Sequence, residues 1–525
     1  MTDSTSTAEW PKAGRREWIG LAVIALPCLL YSMDLTVLYL AVPSLTAELE
    51  PSSAELLWIT DIYGFFLAGF LITMGTLGDR VGRRRLLLIG AAAFGVASVL
   101  AAFSTSVEML IVSRALLGVA AATLAPSTLS LIRNMFLDPG QRTFAIGVWA
   151  TSFSVGAALG PLLGGVLLEF FWWGSVFLLA VPVMCMLLVI GPRLLPEFRD
   201  PTAGRLDLVS AGLSVVAVLA VVYGLKEMAE NGLDRTPLLS IAVGFLVGLV
   251  FVRRQQRLAD PLLDLHLFRS RRFSASLTAN TLSLALAFGI FLFIAQYLQL
   301  VLGYSPLAAG LWTVPSSGGF IAGSMLAPVL VRMVRPAYVV AGGFVVTGAG
   351  LALLAQAEAG SSVALVVTAS VIIALGVAPP VTLGTDLVVG SVPPERAGVA
   401  SGISETGAEL GGALGIAVLG SIGVAVYRNE IAEAIPGGVP LEASETSKDT
   451  LGGATQAVEG LPGELGEPLL DAAREAFTQG MQVAAFTGAA VALATAILAM
   501  LLLRRRGPAP PQEETVAPAS VAASS

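Results

Sequence analysis

Ile19-Gly-Leu-Ala-Val-Ile-Ala-Leu-Pro-Cys-Leu-Leu-Tyr-Ser-Met-Asp34-Leu-Thr-Val-Leu-Tyr39-Leu-Ala-Val-Pro43 carries a single charge, Asp34. At 1.5 Å per residue the run is long enough to cross a hydrocarbon layer of roughly 30 Å as a helix. It is too long for a signal-peptide core and lacks an evident cleavage site, so it reads as a retained first span. A carboxylate deep in such a run costs roughly 2.5–3.5 kcal/mol on insertion scales, which marks it as a functional group, a proton carrier or cation site. A second acid, Asp61, follows in the next apolar run.

The rest of the chain repeats the pattern. It is 55% hydrophobic and only 13% charged, about half the charge of an ordinary soluble domain. Apolar runs recur at approximately 18–43, 56–76, 86–105, 107–131, 143–168, 172–192, 207–226, 237–253, 273–301, 306–331, 337–356, 361–386, 396–426 and 478–503. The fold class is therefore an all-α polytopic membrane protein of fourteen spans. With the N-terminus inside, 23 of the 27 arginines fall on inside segments; only Arg235, Arg428 and Arg474 fall outside, and Arg114 lies within span 4. That bias places both termini in the cytoplasm and the chain in the cell membrane. Cys28 and Cys185 both fall inside spans, so a structural disulfide is not expected.

The organisation reads as 6 + 2 + 6. A cytoplasmic tail, 1–17, precedes a six-helix bundle over 18–206. An inserted pair, spans 7 and 8, covers 207–256, and a second six-helix bundle covers 257–503. The repeat is carried by two loops, Asp138-Pro-Gly-Gln-Arg142 before span 5 and Val392-Pro-Pro-Glu-Arg396 before span 13. Duplicated halves of this kind are how many secondary transporters are built. Residues 427–477 read as one long outside loop rich in Gly, Glu and Pro, with an amphipathic stretch, Leu469–Phe477, suited to the membrane surface. The tail 504–525 is Pro/Ala/Ser-rich and reads as disordered.

Several motifs interrupt the apolar background. Gly75-Thr-Leu-Gly-Asp79-Arg80-Val-Gly82-Arg83-Arg84-Arg85 fills the tight inside loop between spans 2 and 3. Read by its residues alone it is a positively charged anchor with glycines for the turn. It also resembles the Gly-x-Leu-x-Asp-Arg-x-Gly-Arg-Arg motif of the major facilitator superfamily. Arg114-Ala-Leu-Leu-Gly118 resembles that superfamily's embedded arginine motif, with Leu117 where a Gln is common. Gly156-Ala-Ala-Leu-Gly160-Pro161-Leu-Leu-Gly164-Gly165 resembles its antiporter motif. Glycines at this spacing also serve plain helix packing. Met33-Asp34-Leu-Thr-Val-Leu-Tyr39 resembles the span-1 motif of the fourteen-span drug:proton antiporter branch, with Tyr39 where Asn is frequent. Trp58-Ile-Thr-Asp61-Ile-Tyr63 and Glu405-Thr-Gly-Ala-Glu409 are similar to acidic segments of QacA/LfrA-type multidrug efflux proteins. Some relatives carry an Asp in span 10, which the resemblance links to divalent substrates. Trp312 to Val331 holds no acid here.

The resemblance implies a proton-coupled antiporter exporting lipophilic cations and amphiphilic drugs: dyes, quaternary ammonium compounds, fluoroquinolones. Asp34, Asp61, Glu405 and Glu409 become the proton-coupling and cation-binding acids, and Arg114 the buried cation that pairs with one of them. Tyr39, Trp58 and Tyr63 become cavity aromatics. Glu405 and Glu409 are four apart, on one helix face; Glu409 also suits a structural hydrogen bond between helices. Two other readings stay open: a dedicated exporter of one endogenous antibiotic or metabolite, and a nutrient symporter, against which the Gly160-Pro161 motif argues. No metal cluster, phosphate-binding loop or nucleophile motif is present. No cofactor, enzyme activity or nucleic-acid partner is therefore expected; the partners are small cations, protons and the bilayer, and a monomer is the expected state.

Overall fold

The computed structural model describes residues 11–49, 51, 53–199, 207–231, 234–258, 261–393, 397–459 and 461–503. The disordered-tail reading of 504–525 and most of the cytoplasmic tail fall outside them. Among the described residues the chain is helical throughout, and fourteen helices are long and apolar enough to cross a membrane.

In the first half, span 1 is Arg15–Leu49, span 2 Ser53–Val81, span 3 Arg83–Ala102, span 4 Val107–Met135 and span 5 Pro139–Phe170. Span 6 is broken into Ser175–Leu178 and Ala180–Leu194. Spans 7 and 8 are Leu208–Asn231 and Arg235–Gln255. In the second half, span 9 is Arg271–Gln296, prolonged by a wide turn over Tyr297–Val301. Span 10 is Pro306–Met333, span 11 Pro336–Leu354, span 12 Val363–Val389, span 13 Ala397–Ala434 and span 14 Gly463–Leu503.

Local chemistry sets many of these ends. The side chains of Ser106, Asp138, Ser270 and Ser305 accept backbone N–H bonds three residues on, from Met109, Gln141, Phe273 and Ala308. Pro139, Pro306 and Pro336 open their helices where a missing N–H is harmless. Only Gly82 separates span 2 from span 3, at φ 118, a left-handed conformation that a side chain would strain.

Packing repeats across the halves. Span 1 packs on span 5, span 2 on span 4, span 3 on spans 4 and 6; span 9 packs on span 13, span 10 on span 12, span 11 on spans 12 and 14. Each half buries its own apolar core. Spans 7 and 8 pair with each other and lean on spans 2 and 13, with Val222 against Phe65 and Ala68. The pair is clipped at its inside ends, where Asp207 accepts Arg254 Nε at 2.9 Å. The Ser210 hydroxyl, followed by Arg254, holds the Asp207 carboxyl below its usual range.

The 427–477 expectation needs correction. Span 13 continues as one helix to Ala434, and two short helices, Leu441–Asp449 and Leu451–Glu459, follow. The span-14 helix begins at Gly463, so Leu469–Phe477 is its outer portion and not a separate surface helix. Leu469, Ala473 and Phe477 are buried, Phe477 against Phe293 of span 9 at 5.9 Å between rings. The apolar stripe is real, but protein covers it in place of lipid. Tyr427 of span 13 ties the short helices down by donating to the Ser447 carbonyl.

Candidate translocation site

Span 1 carries Asp34 nineteen residues beyond Arg15, roughly 28 Å along the helix and so in its outer half. Span 4 runs the opposite way and delivers Arg114 to the same depth. Arg114 Nη1 lies 2.7 Å from Asp34 Oδ2. The Arg114 side chain is 1% exposed. Its Nε donates to the Ile59 carbonyl of span 2 at 3.1 Å, and its charge lies over the Tyr63 ring, 4.9 Å from the centroid. Carboxylate, carbonyl and ring face together offset the desolvation of a cation in the membrane interior. Asp34 retains 14% side-chain exposure, so one carboxyl edge faces open space.

One turn below Asp34, the Tyr31 hydroxyl crosses between the halves and donates to Glu409 Oε1 on span 13 at 2.8 Å. Tyr31 stands edge-on to Phe153 at 5.4 Å and near Tyr63 at 6.2 Å. Phe153 in turn meets Trp149 at 4.7 Å. The Tyr63 hydroxyl is buried with no hydrogen-bond partner among the described residues. Glu405, one turn below Glu409, is partly buried and within electrostatic reach of Cys28 and Tyr31 on span 1. A column of acids thus descends between the halves: Asp34, Glu409, Glu405.

Below the acids the two halves are sealed together on the cytoplasmic side. Asp79 accepts the first free N–H groups of span 13, from Gly398 at 3.3 Å and Val399 at 3.0 Å, a carboxylate on a helix N-terminus. Buried Arg83 pairs with Asp79 and donates to the Gly75 carbonyl at 2.8 Å. A side chain at Gly75 would strike the Gly398 carbonyl, so spans 2 and 13 touch backbone to backbone. A second tie joins span 5 to span 12: Arg142 Nε lies 2.6 Å from Asp386 Oδ1, and Thr143 donates to Asp386 Oδ2 at 2.8 Å. Arg84 reaches the Pro192 and Leu195 carbonyls and, through its N–H, Glu197. Arg80 is partly buried in the same loop. The structure is closed toward the cytoplasm.

The sequence-singled residues separate into groups. Asp34, Arg114, Tyr63, Glu405 and Glu409 come together at the half-to-half interface. Trp58 does not join them: it is 43% exposed and meets Phe65 on the face of span 2 that packs against span 7. Trp58 precedes Tyr63 by five positions, which turns it well away from the Tyr63 face. The backbone at Asp61 and Tyr39 is helical, but their side chains lie outside the described residues. Of the span-5 motif, Gly156 lies against the Leu29 carbonyl of span 1, where no Cβ fits; Gly160 and Gly164 are buried, and Pro161 and Gly165 lie outside the described side chains. Asp386 and Tyr31 escaped the sequence reading. Asp386 is an acid at the inside end of an apolar run, a weaker signal than a carboxylate deep within one. Tyr31 offers no such signal.

Residues 24–416 match the model of the Major Facilitator Superfamily. The chain belongs to this superfamily. As a facilitator-superfamily protein it is 44% identical to the multidrug efflux pump LfrA of Mycolicibacterium smegmatis, over 93% of this chain and 97% of that one. It is 34% identical to the methyl viologen resistance protein SmvA of Salmonella typhimurium, over 92% and 97%. It is 33% identical to the tetracenomycin C resistance and export protein of Streptomyces glaucescens, over 99% and 98%. Among solved structures, the human organic anion transporter MFSD10 aligns with TM-score 0.59 at 17% identity, over 93% and 99% of the two chains. A bacterial homologue of the lysosomal transporter Spinster, described as inward-facing and unoccupied, aligns at 0.58 and 19%, over 95% and 100%. These two likenesses show the fold; the family match and the fourteen apolar helices make the chain a multi-pass membrane protein.

Proposed function

We propose that this chain is a proton-coupled antiporter that exports lipophilic cations and related amphiphilic drugs by alternating access. The observation that carries the reading is a pair of membrane-embedded acids on opposite halves, Asp34 and Glu409, linked through Tyr31 and Tyr63 directly above a cytoplasmic seal. The relatives named for multidrug efflux and methyl viologen resistance support it.

In the state closed to the cytoplasm, the acids face the outside. Protonation there removes the charge that assists the Tyr31–Glu409 bond and lowers the attraction of the site for a bound cation, which leaves. Reorientation breaks the Asp79 and Asp386 ties and opens the column inward. The protons then depart to the cytoplasm, and the ionised acids receive the next cation against the faces of Tyr31 and Tyr63. The halves that rock are the bundles 18–206 and 257–503, with spans 7 and 8 riding on spans 2 and 13. Asp61, near the outer end of span 2, serves as a further proton or cation acid.

The test is ethidium efflux from proteoliposomes with an imposed pH gradient, with and without a protonophore. Gradient-driven efflux that the protonophore collapses supports the reading; gradient-independent flux rejects it. A second reading, a dedicated exporter of one natural product, is favoured by a relative named for tetracenomycin C alone. Transport of several unrelated dyes argues against it, and transport of one antibiotic only argues for it.

A further inference from the structure

Away from the acid column, the cytoplasmic ends of spans 9 and 14 line a groove of about 230 Å³. Its floor is buried Ala275, Ala279 and Ala499, small residues that leave the space above them unfilled. Its apolar wall includes Leu498 and Leu502, both exposed. Arg269 and Arg271 stand at the mouth, exposed, beside the amino end of span 9, which Ser270 caps. Among the described residues, no acid lines the groove. The sequence puts three more arginines, Arg504 to Arg506, directly after span 14.

An apolar slot along two membrane helices, with cations only at the cytoplasmic end, has the polarity of one phospholipid in the inner leaflet. Basic pockets between spans on the cytoplasmic side suit anionic head groups, and a helix amino end adds N–H donors for phosphate. We propose that this groove is a binding site for an anionic phospholipid, its phosphate on Arg269 and Arg271 and an acyl chain along Ala275, Ala279 and Leu502. The lipid ties the inside ends of spans 9 and 14 together. The site is separate from the acid column and stands whether or not the transport reading holds.

The experiment uses the full-length protein in phosphatidylcholine nanodiscs doped with a photoactivatable phosphatidylglycerol, with labelled peptides mapped by mass spectrometry. Label concentrated on peptides containing 268–279 and 495–502 is expected. Each arginine near an anionic surface strengthens binding roughly 5-fold, so Arg269→Gln/Arg271→Gln lowers labelling there by up to about 25-fold. Thr278 is exposed on the groove rim; Thr278→Phe fills the slot and removes the label with both arginines in place. A phosphatidylcholine probe of equal chain length labels these peptides only weakly. Equal labelling by the two probes, or unchanged labelling of the arginine double variant, overturns the proposal. So does loss of label on adding inorganic phosphate, which identifies a simple anion site. An unchanged thermal unfolding midpoint for the double variant shows that any loss of label is not a loss of fold.

Discussion

Asp34 and Arg114 hold each other in the membrane, and neither is tolerable alone. Removing one partner of a buried pair costs roughly 3–5 kcal/mol because the other charge is left unpaired. Asp34→Asn is therefore expected to abolish coupled efflux and to lower the thermal unfolding midpoint in detergent. Asp34→Asn with Arg114→Gln is expected to recover much of the midpoint and none of the efflux. If the double variant pumps ethidium at the wild-type rate at matched expression, the pair is structural and the acid carries no proton. Asp34→Glu keeps a titratable group within reach of the guanidinium and should retain partial efflux. Asp34 was legible in the sequence because an apolar run makes any charge conspicuous, and one embedded arginine among embedded acids made the pairing foreseeable. Tyr31 was not legible. A tyrosine in an apolar helix is ordinary, and only the approach of span 13 turns its hydroxyl into a bridge between halves.

At the level of helices, the cytoplasmic seal rests on the ends of spans 2, 5, 12 and 13. A charge-assisted hydrogen bond contributes roughly 1.5–3 kcal/mol. Asp386→Asn removes the charge from one tie and is expected to shift the balance of states toward inward-facing by about 10- to 100-fold. Cysteine accessibility from the cytoplasm, at positions on the inner halves of spans 5 and 12 in a Cys28→Ser/Cys185→Ser background, reads that shift. Unaltered accessibility shows that the Arg142–Asp386 tie does not hold the seal. Asp386 was overlooked because it closes an apolar run, where an acid passes for the start of a loop. The outer end of span 14 was misjudged for a related reason. Composition marked 427–477 as loop, yet Leu469, Ala473 and Phe477 recur at helical spacing and are buried, Ala473 and Phe477 within the core of the second half. Leu469→Ala is accordingly expected to cost roughly 2–5 kcal/mol, visible as a lower unfolding midpoint. A midpoint equal to the parent's means that this portion of the helix packs on nothing that matters.

For the molecule as a whole, if only one of the acids is protonated per cycle, exchange of that proton for one monovalent cation moves no net charge. A membrane potential acts at ~2.3 kcal/mol per charge per 100 mV only when charge is displaced. Ethidium efflux driven by a pH gradient should therefore be unchanged when valinomycin and potassium set a potential across the proteoliposome. A dication such as methyl viologen, exchanged for a single proton, carries one net charge, so its efflux should respond to the same potential. Potential-sensitive ethidium efflux shows instead that more than one acid is protonated per cycle. The fourteen-span plan and its orientation were readable from apolar runs and the placement of arginines. The matching contact pattern of the two halves was not, because a weak repeat in two loops gives no account of which helix touches which.

The span-14 helix holds 41 residues, about 60 Å of rod against a hydrocarbon layer of roughly 30 Å. Its inside end lies at the cytoplasmic arginines, so the surplus stands on the external face, braced by span 13 and the two short helices. A drug pump disposes of inhibitors by the same route as its other cargo, and compounds aimed at the acid column must compete with that. The external stalk escapes the difficulty. An antibody fragment or cyclic peptide gripping it has no bilayer to cross and never becomes cargo. By clamping spans 13 and 14 it would halt the second half in mid-stroke.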